Sequence, residues 1–248
     1  MMDLFRSYCV RLFRHKFYIF GLTAAFVITY YISAKGAEIL PLHRINNDFE
    51  CAKMASLGIP AFFSLFTSFF LGAEYYGGAI RNKLICGKKR SEIYFASFGA
   101  VTLGMLIMTA VWAAAALIGG HDLPAAGEIA VCIIKVVFYN MANLSFLVFV
   151  SMNVEKEGLV TGIEFMSFQA ALFAVILMQA LMGIAGNAVC AVLRFMINVI
   201  PYGQWLTMSL IGDHEIALPT PVQLMISAVF LAAFTAAGLK LMEKKDIR

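Results

Sequence analysis

The residues able to do chemistry are few in this chain, and they do not assemble into a catalytic set. His15, His43, His121 and His214 stand apart from one another, each near the edge of an apolar block. No HExxH pattern is present, and no serine, histidine and acid fall into an arrangement that would activate a nucleophile. His121-Asp122 and Asp213-His214-Glu215 read as solvated loop residues, not as metal ligands. The cysteines Cys9, Cys51, Cys86, Cys132 and Cys190 show neither a CxxC pair nor a metal-ligand spacing. Cys51 and Cys190 could share one side of a membrane as a disulfide, but small apolar residues are the preferred reading. Gly87-Lys88 does not close a P-loop, because G-x-x-x-x-G-K requires a glycine where this chain has Asn82. The expectation is therefore a chain with no catalytic residues, no metal and no cofactor of its own.

The elements that carry these residues are set by composition. The chain has 248 residues, of which 61% are hydrophobic and 14% charged, with a mean hydropathy of +0.83. A soluble domain carries about 25% charged residues, so this chain could not cover its surface in water. Six apolar blocks approach the roughly 20 residues that cross about 30 Å of hydrocarbon. They are Phe17 to Ser33, Met54 to Ala73, Ile93 to Ile118, Ile129 to Ser151, Leu159 to Met182, and Val222 to Leu241. The expected fold is all-α: a single transmembrane domain over 1–248 with six spans. No cleavable signal, second soluble domain or low-complexity tract is expected.

Charge sets the expected orientation. With both termini in the cytoplasm, the inner segments hold fourteen Lys and Arg and the outer segments four, with Lys135 inside a span. Acidic residues split evenly, so the bias is the positive-inside signal of a cell-membrane protein and not a nucleic-acid footprint. A seventh span through 183–201 would place the basic tail Lys240 to Arg248 outside. That region, with Asn187, Arg194 and Asn198 and closed by Pro201, is instead expected to be re-entrant. At the other end, 1–16 reads as an amphipathic helix lying flat on the inner leaflet. Leu4, Phe5, Tyr8, Cys9, Leu12 and Phe13 share its apolar side, and Asp3, Arg6, Ser7, Arg11 and Arg14 the polar side; Val10 breaks the pattern.

Polar residues within spans are candidates for a translocation path. They are Ser64 and Thr67, with Ser68, above an expected kink at Pro60; Asn140 and Asn143; and Gln169, with Gln179 on the same span. Ordinary interhelical hydrogen bonding is the simpler reading of the same residues. Lys135 and Glu164 lie at opposite ends of their spans and are not expected to pair.

The most informative segment is 74–92, between the second and third spans. Gly77 and Gly78 can end the second span, Ala79 to Cys86 can make about two helical turns, and Gly87 suits a C-cap. Lys88, Lys89 and Arg90 follow, and Ser91 is expected to cap the third span. The pattern Glu74-x-x-x-Gly78-x-Ile80-Arg81-Asn82-Lys83-Leu84-x-x-Gly87-x-x-Arg90-x-x-Ile93-Tyr94 resembles the signature that follows the second span in ABC-2 type permeases. These include small permeases linked to bacitracin or lantibiotic self-protection and to peptide export, and the six-span layout is similar too. The resemblance implies a coupling helix in which Glu74, Gly78, Ala79, Ile80, Arg81, Asn82, Lys83, Leu84, Gly87 and Arg90 serve docking on an ATPase. It further implies two ATPase subunits that bind ATP and Mg, and a second permease copy or paralogue. The cargo would be a hydrophobic or amphipathic molecule such as a peptide, antibiotic or lipid. Alternatives are an ATP-independent secondary transporter and an intramembrane enzyme. The same loop could also serve topology alone.

Overall fold

The computed structural model of the protein describes residues 1–39, 47–209 and 216–244. His43, Arg44, Asp213, His214, Glu215, Lys245 and Arg248 lie outside the described residues. Among the described residues the secondary structure is helical throughout. The helices are α1 (Met2–Arg14), α2 (Lys16–Ile39), α3 (Asp48–Ala55), α4 (Gly58–Thr67), α5 (Ala73–Tyr76), α6 (Ala79–Ile85) and α7 (Arg90–Gly119). They continue as α8 (Ala126–Asn153), α9 (Glu157–Met182), α10 (Asn187–Val199), α11 (Pro201–Met208) and α12 (Thr220–Lys244). A π-helical turn, Ser68–Gly72, joins α4 to α5.

Six stretches are long and apolar enough to cross a membrane: Lys16–Gly36, Asp48–Gly72, Arg90–Gly119, Ala126–Asn153, Gly158–Met182 and Thr220–Lys244. The protein is thus an all-α polytopic membrane protein. The helices overrun the apolar blocks because their ends continue into polar sequence. The 30 residues of α7 make a rod of about 45 Å, well beyond the hydrocarbon thickness. The second span begins at Asp48, capped by the Asn47 side chain, which accepts from Glu50 N at 3.1 Å.

The centre of the bundle is α8, which packs against α12, α7, α4 and α11. Flanking it, α2 lies against α7 and α3, and α9 against α4 and the π-helical turn. An aromatic stack from Phe62 through Phe66 to Phe70 fills the seam between α1, α2 and α4, with centroids 5.4 and 5.2 Å apart. In contrast, Met166 and Phe173 on α9 and Met225 and Val229 on α12 are exposed, as lipid-facing residues must be.

Two local expectations are corrected. The second span breaks at Ser56 and Leu57, not at Pro60. Pro60 falls in the first turn of α4, where a missing N–H breaks no intrahelical bond. The break is held from α8, since the Tyr139 hydroxyl donates to Ser56 Oγ at 3.2 Å. Ser91 does not cap α7. Lys89 occupies that position, and its N–H donates to the Glu92 carboxylate at 3.2 Å.

The region before the last span is a bent pair. α10 and α11 meet at 104° across Ile200, whose extended backbone and following proline stop α10. The bend points into the bundle: Tyr202 Oη donates to Asn143 Oδ1 at 2.6 Å, and Ser227 Oγ to Gln204 Oε1 at 2.8 Å. Asn198 ties the entry of this unit to its exit. Its amide donates to the Ile216 carbonyl at 3.0 Å, and its Oδ1 accepts from Leu218 N and Gln223 Nε2. Nonhelical backbone at membrane depth is stable only when covered this way.

Candidate functional site

The segment 74–92 is positioned by a buried carboxylate. Glu74 sits at the end of the second span, in α5, and is only 3% exposed. An isolated carboxylate there would be strongly destabilising. Two other helices supply its partners. From α1, the Tyr8 hydroxyl donates to Oε2 at 2.6 Å and Arg11 Nη1 to Oε1 at 2.5 Å. From α6, Lys83 Nζ donates to both oxygens at 2.8 and 2.9 Å. Arg11 also donates to the Phe70 carbonyl, in the π-helical turn, and lies over the Phe70 ring at 4.2 Å. Lys83 donates to Tyr8 Oη at 2.7 Å and lies 4.0 Å from its ring centre.

This cluster has a consistent electrostatic character. Burial pushes the Tyr8 hydroxyl up, and Glu74 adds to the shift, so Tyr8 stays a proton donor. Burial pushes the Lys83 ammonium below its ordinary value of 10.5, while Glu74 pulls the other way. At the α1–α2 junction, His15 meets the edges of Phe66 and Phe70 at 5.5 and 6.2 Å. Burial, then Arg11, holds its imidazole below 6.5, and its buried Nδ1 has no partner.

The cluster changes the reading of α1. Of its expected apolar side, Leu4, Tyr8 and Leu12 are buried and Phe5 and Cys9 half-buried, whereas Phe13 is exposed. The buried side meets protein, however: Phe5 lies against Gly99 and Leu12 against Gly104, and the N-terminal amine is 3.7 Å from Glu92. Successive turns of α1 therefore match successive turns of α7, and the helix is docked along α7 instead of resting alone on lipid. Arg11, expected among headgroups, turns inward to Glu74.

Within α6 the expected docking residues divide. Gly78 starts the helix with φ 67° and Gly87 follows its end with φ 79°, both in the left-handed region that favours glycine. Ile80 is buried, and Leu84 and Ala79 are half-buried. Lys83 is committed to Glu74. Arg90 Nη1 donates to the Met242 carbonyl at 2.7 Å, a cation at the C-terminal end of α12. Arg81, Asn82 and Gly87 are exposed, together with Ile85 at 73% and Cys86. The free face of α6 is thus Arg81, Asn82 and Ile85; Lys83 and Arg90 work from behind it. Ile85 and the roles of Tyr8 and Arg11 were missed by the sequence reading. The i, i+4 pair of Arg81 and Ile85 was the available signal.

Among the described residues, the candidate path residues bond within the bundle or face outward. Ser64 and Thr67 are fully buried and donate to Ala61 and Phe63 carbonyls on their own helix. Asn140 donates to the Val136 carbonyl and leaves Oδ1 without a partner. Asn143 receives Tyr202, and Gln169 is exposed on the outer face of α9. Cavities of about 440, 530, 170 and 450 Å³ among the described residues are lined by other side chains. Glu164 is buried near the C-terminal end of α8, where Ser151 donates to it at 2.5 Å. Lys135 lies sixteen residues back along α8 from Ser151, or about 24 Å. The two do not pair.

All five cysteines are unpaired, including Cys51 and Cys190. Among the described residues, no group of three His, Cys, Asp or Glu side chains could hold a metal. No protein-family model matches the chain, and no curated protein matches it.

Proposed function

We propose that the chain is the membrane-spanning permease subunit of an ATP-driven transporter in a cell membrane, with α6 as the element that docks on a separate ATPase. The observation that carries this reading is the construction of 74–92. A loop built only to reverse direction needs no buried carboxylate bonded from two other helices. Here Glu74, Tyr8, Arg11 and Lys83 brace a two-turn helix and leave Arg81, Asn82 and Ile85 facing outward. Such a brace passes force from a partner into α1, the second span and α7 together. The likeness to ABC-2 permeases over the same residues supports an ATPase as that partner. The complex would hold two ATPases, supplying ATP and Mg, and a second permease copy or paralogue. Both termini would lie on the ATPase side. An exported hydrophobic or amphipathic cargo fits spans that carry few charged residues.

A second reading, a transporter coupled to ions instead of ATP, draws on Glu164, buried with one oxygen unpartnered. The two readings differ in an experiment. Tagged protein is purified from its native membranes and assayed for a bound P-loop ATPase. The permease reading predicts one, lost in Arg81→Glu/Ile85→Glu while the chain remains folded. A complex indifferent to those changes contradicts docking through α6.

A further inference from the structure

The end of the bundle opposite Glu74 holds a second feature that docking does not use. A cavity of about 440 Å³ opens there between α3, α8 and α11. Two lysines line it, Lys53 at the start of the second span and Lys135 in α8, with Cys132 and Thr207 beside them and Val131 and Met208 as apolar wall. Lys135 lies nine residues into α8, about 14 Å from its first residue, and so within the depth of one leaflet. Both side chains line the same cavity, so their like charges share one space. Neither has an ion-pair partner among the described residues. Glu128 shares the cavity from its exposed rim and bridges to neither.

A lysine at this depth with a second cation facing the same cavity is costly unless an anion joins them. The exposed Val131 and Ile134 beside the opening bring the acyl region of the bilayer to its edge. We propose that this cavity binds the anionic head group of a membrane amphiphile, a phosphate or carboxylate held between Lys53 and Lys135, with its apolar chain leaving past Val131 into the lipid. The site stands independently of the ATPase reading, because it depends on no docking residue.

The test measures lipid binding to the full detergent-solubilised chain by native mass spectrometry. Phosphatidylglycerol, phosphatidylcholine and inorganic phosphate are the probes. Phosphatidylglycerol is expected to bind about tenfold more tightly than phosphatidylcholine. Lys53→Gln/Lys135→Gln abolishes that preference, while Lys135→Arg and the distant Lys240→Gln retain it. Inorganic phosphate, lacking the chain, competes poorly. Trp205, whose indole N–H donates to the Lys53 carbonyl at 3.2 Å, gives a readout without any variant. Phosphatidylglycerol with brominated chains should quench the unmodified protein more than its phosphatidylcholine counterpart. Equal binding of the two lipids, an undiminished preference in the double variant, or displacement by inorganic phosphate as effective as by lipid would each overturn the proposal.

Discussion

Glu74 is the residue on which the candidate site turns, because three cationic or hydroxyl donors from two helices converge on one buried carboxylate. Removing its charge leaves Arg11 and Lys83 facing each other with no anion between them. Charge-assisted hydrogen bonds contribute roughly 1.5–3 kcal/mol each when buried, and the partial exposure of Arg11 discounts its share. Glu74→Gln is expected to lower the melting temperature and to speed tryptic cleavage in α1; an unchanged melt and digestion pattern would refute the anchor. His15 gives a pH signature. Its folded pKa lies below 6.5, so the unfolded chain binds the proton more readily. Its contribution is constant above 6.5 and stability falls as pH drops below that value. Melting temperature should therefore decline on acidification, with a shallower slope in His15→Gln, and equal slopes would contradict the assignment. Glu74 was legible as a motif position. Its partners on α1 were not, because the 66 and 63 residues that separate Tyr8 and Arg11 from Glu74 carry no local pattern.

At the scale of elements, the apolar blocks gave the spans, since hydrocarbon thickness fixes a minimum run of apolar residues. They missed the helix ends. Asp48 to Lys53 and Arg90 to Glu92 are helical yet interrupted by charged residues, so hydropathy alone stops short of them. The glycines bounding α6 were readable because only a left-handed conformation turns the chain there, whereas the π-helical turn at Ser68–Gly72 left no sequence mark. Gly78 has open space where a Cβ would stand, so its substitution is opposed by φ alone. Gly78→Ala should cost about 1–2 kcal/mol and weaken partner binding by reorienting α6. Wild-type stability and binding in that variant would show that the turn is unimportant. The amphipathic pattern of α1 fixed its buried face but not what covers it, since lipid and α7 are equally apolar.

For the whole molecule, the charge bias and the apolar blocks together gave six spans and a bent element before the last, and the described fold has both. The network of Asn198, Gln204 and Gln223 that seats this element was not foreseen. Amides in an apolar stretch announce a cost, but only packing reveals the partner. The central claim is that α6 meets an ATPase. Cys86 is exposed immediately after α6 and offers a native cross-linking handle. A thiol-directed cross-linker applied to intact complexes should join Cys86 to a polypeptide bearing a P-loop, and Arg81→Glu/Ile85→Glu should abolish that product. Cross-links from Cys86 that never contain a P-loop protein, in membranes where the chain is active in transport, would contradict the account.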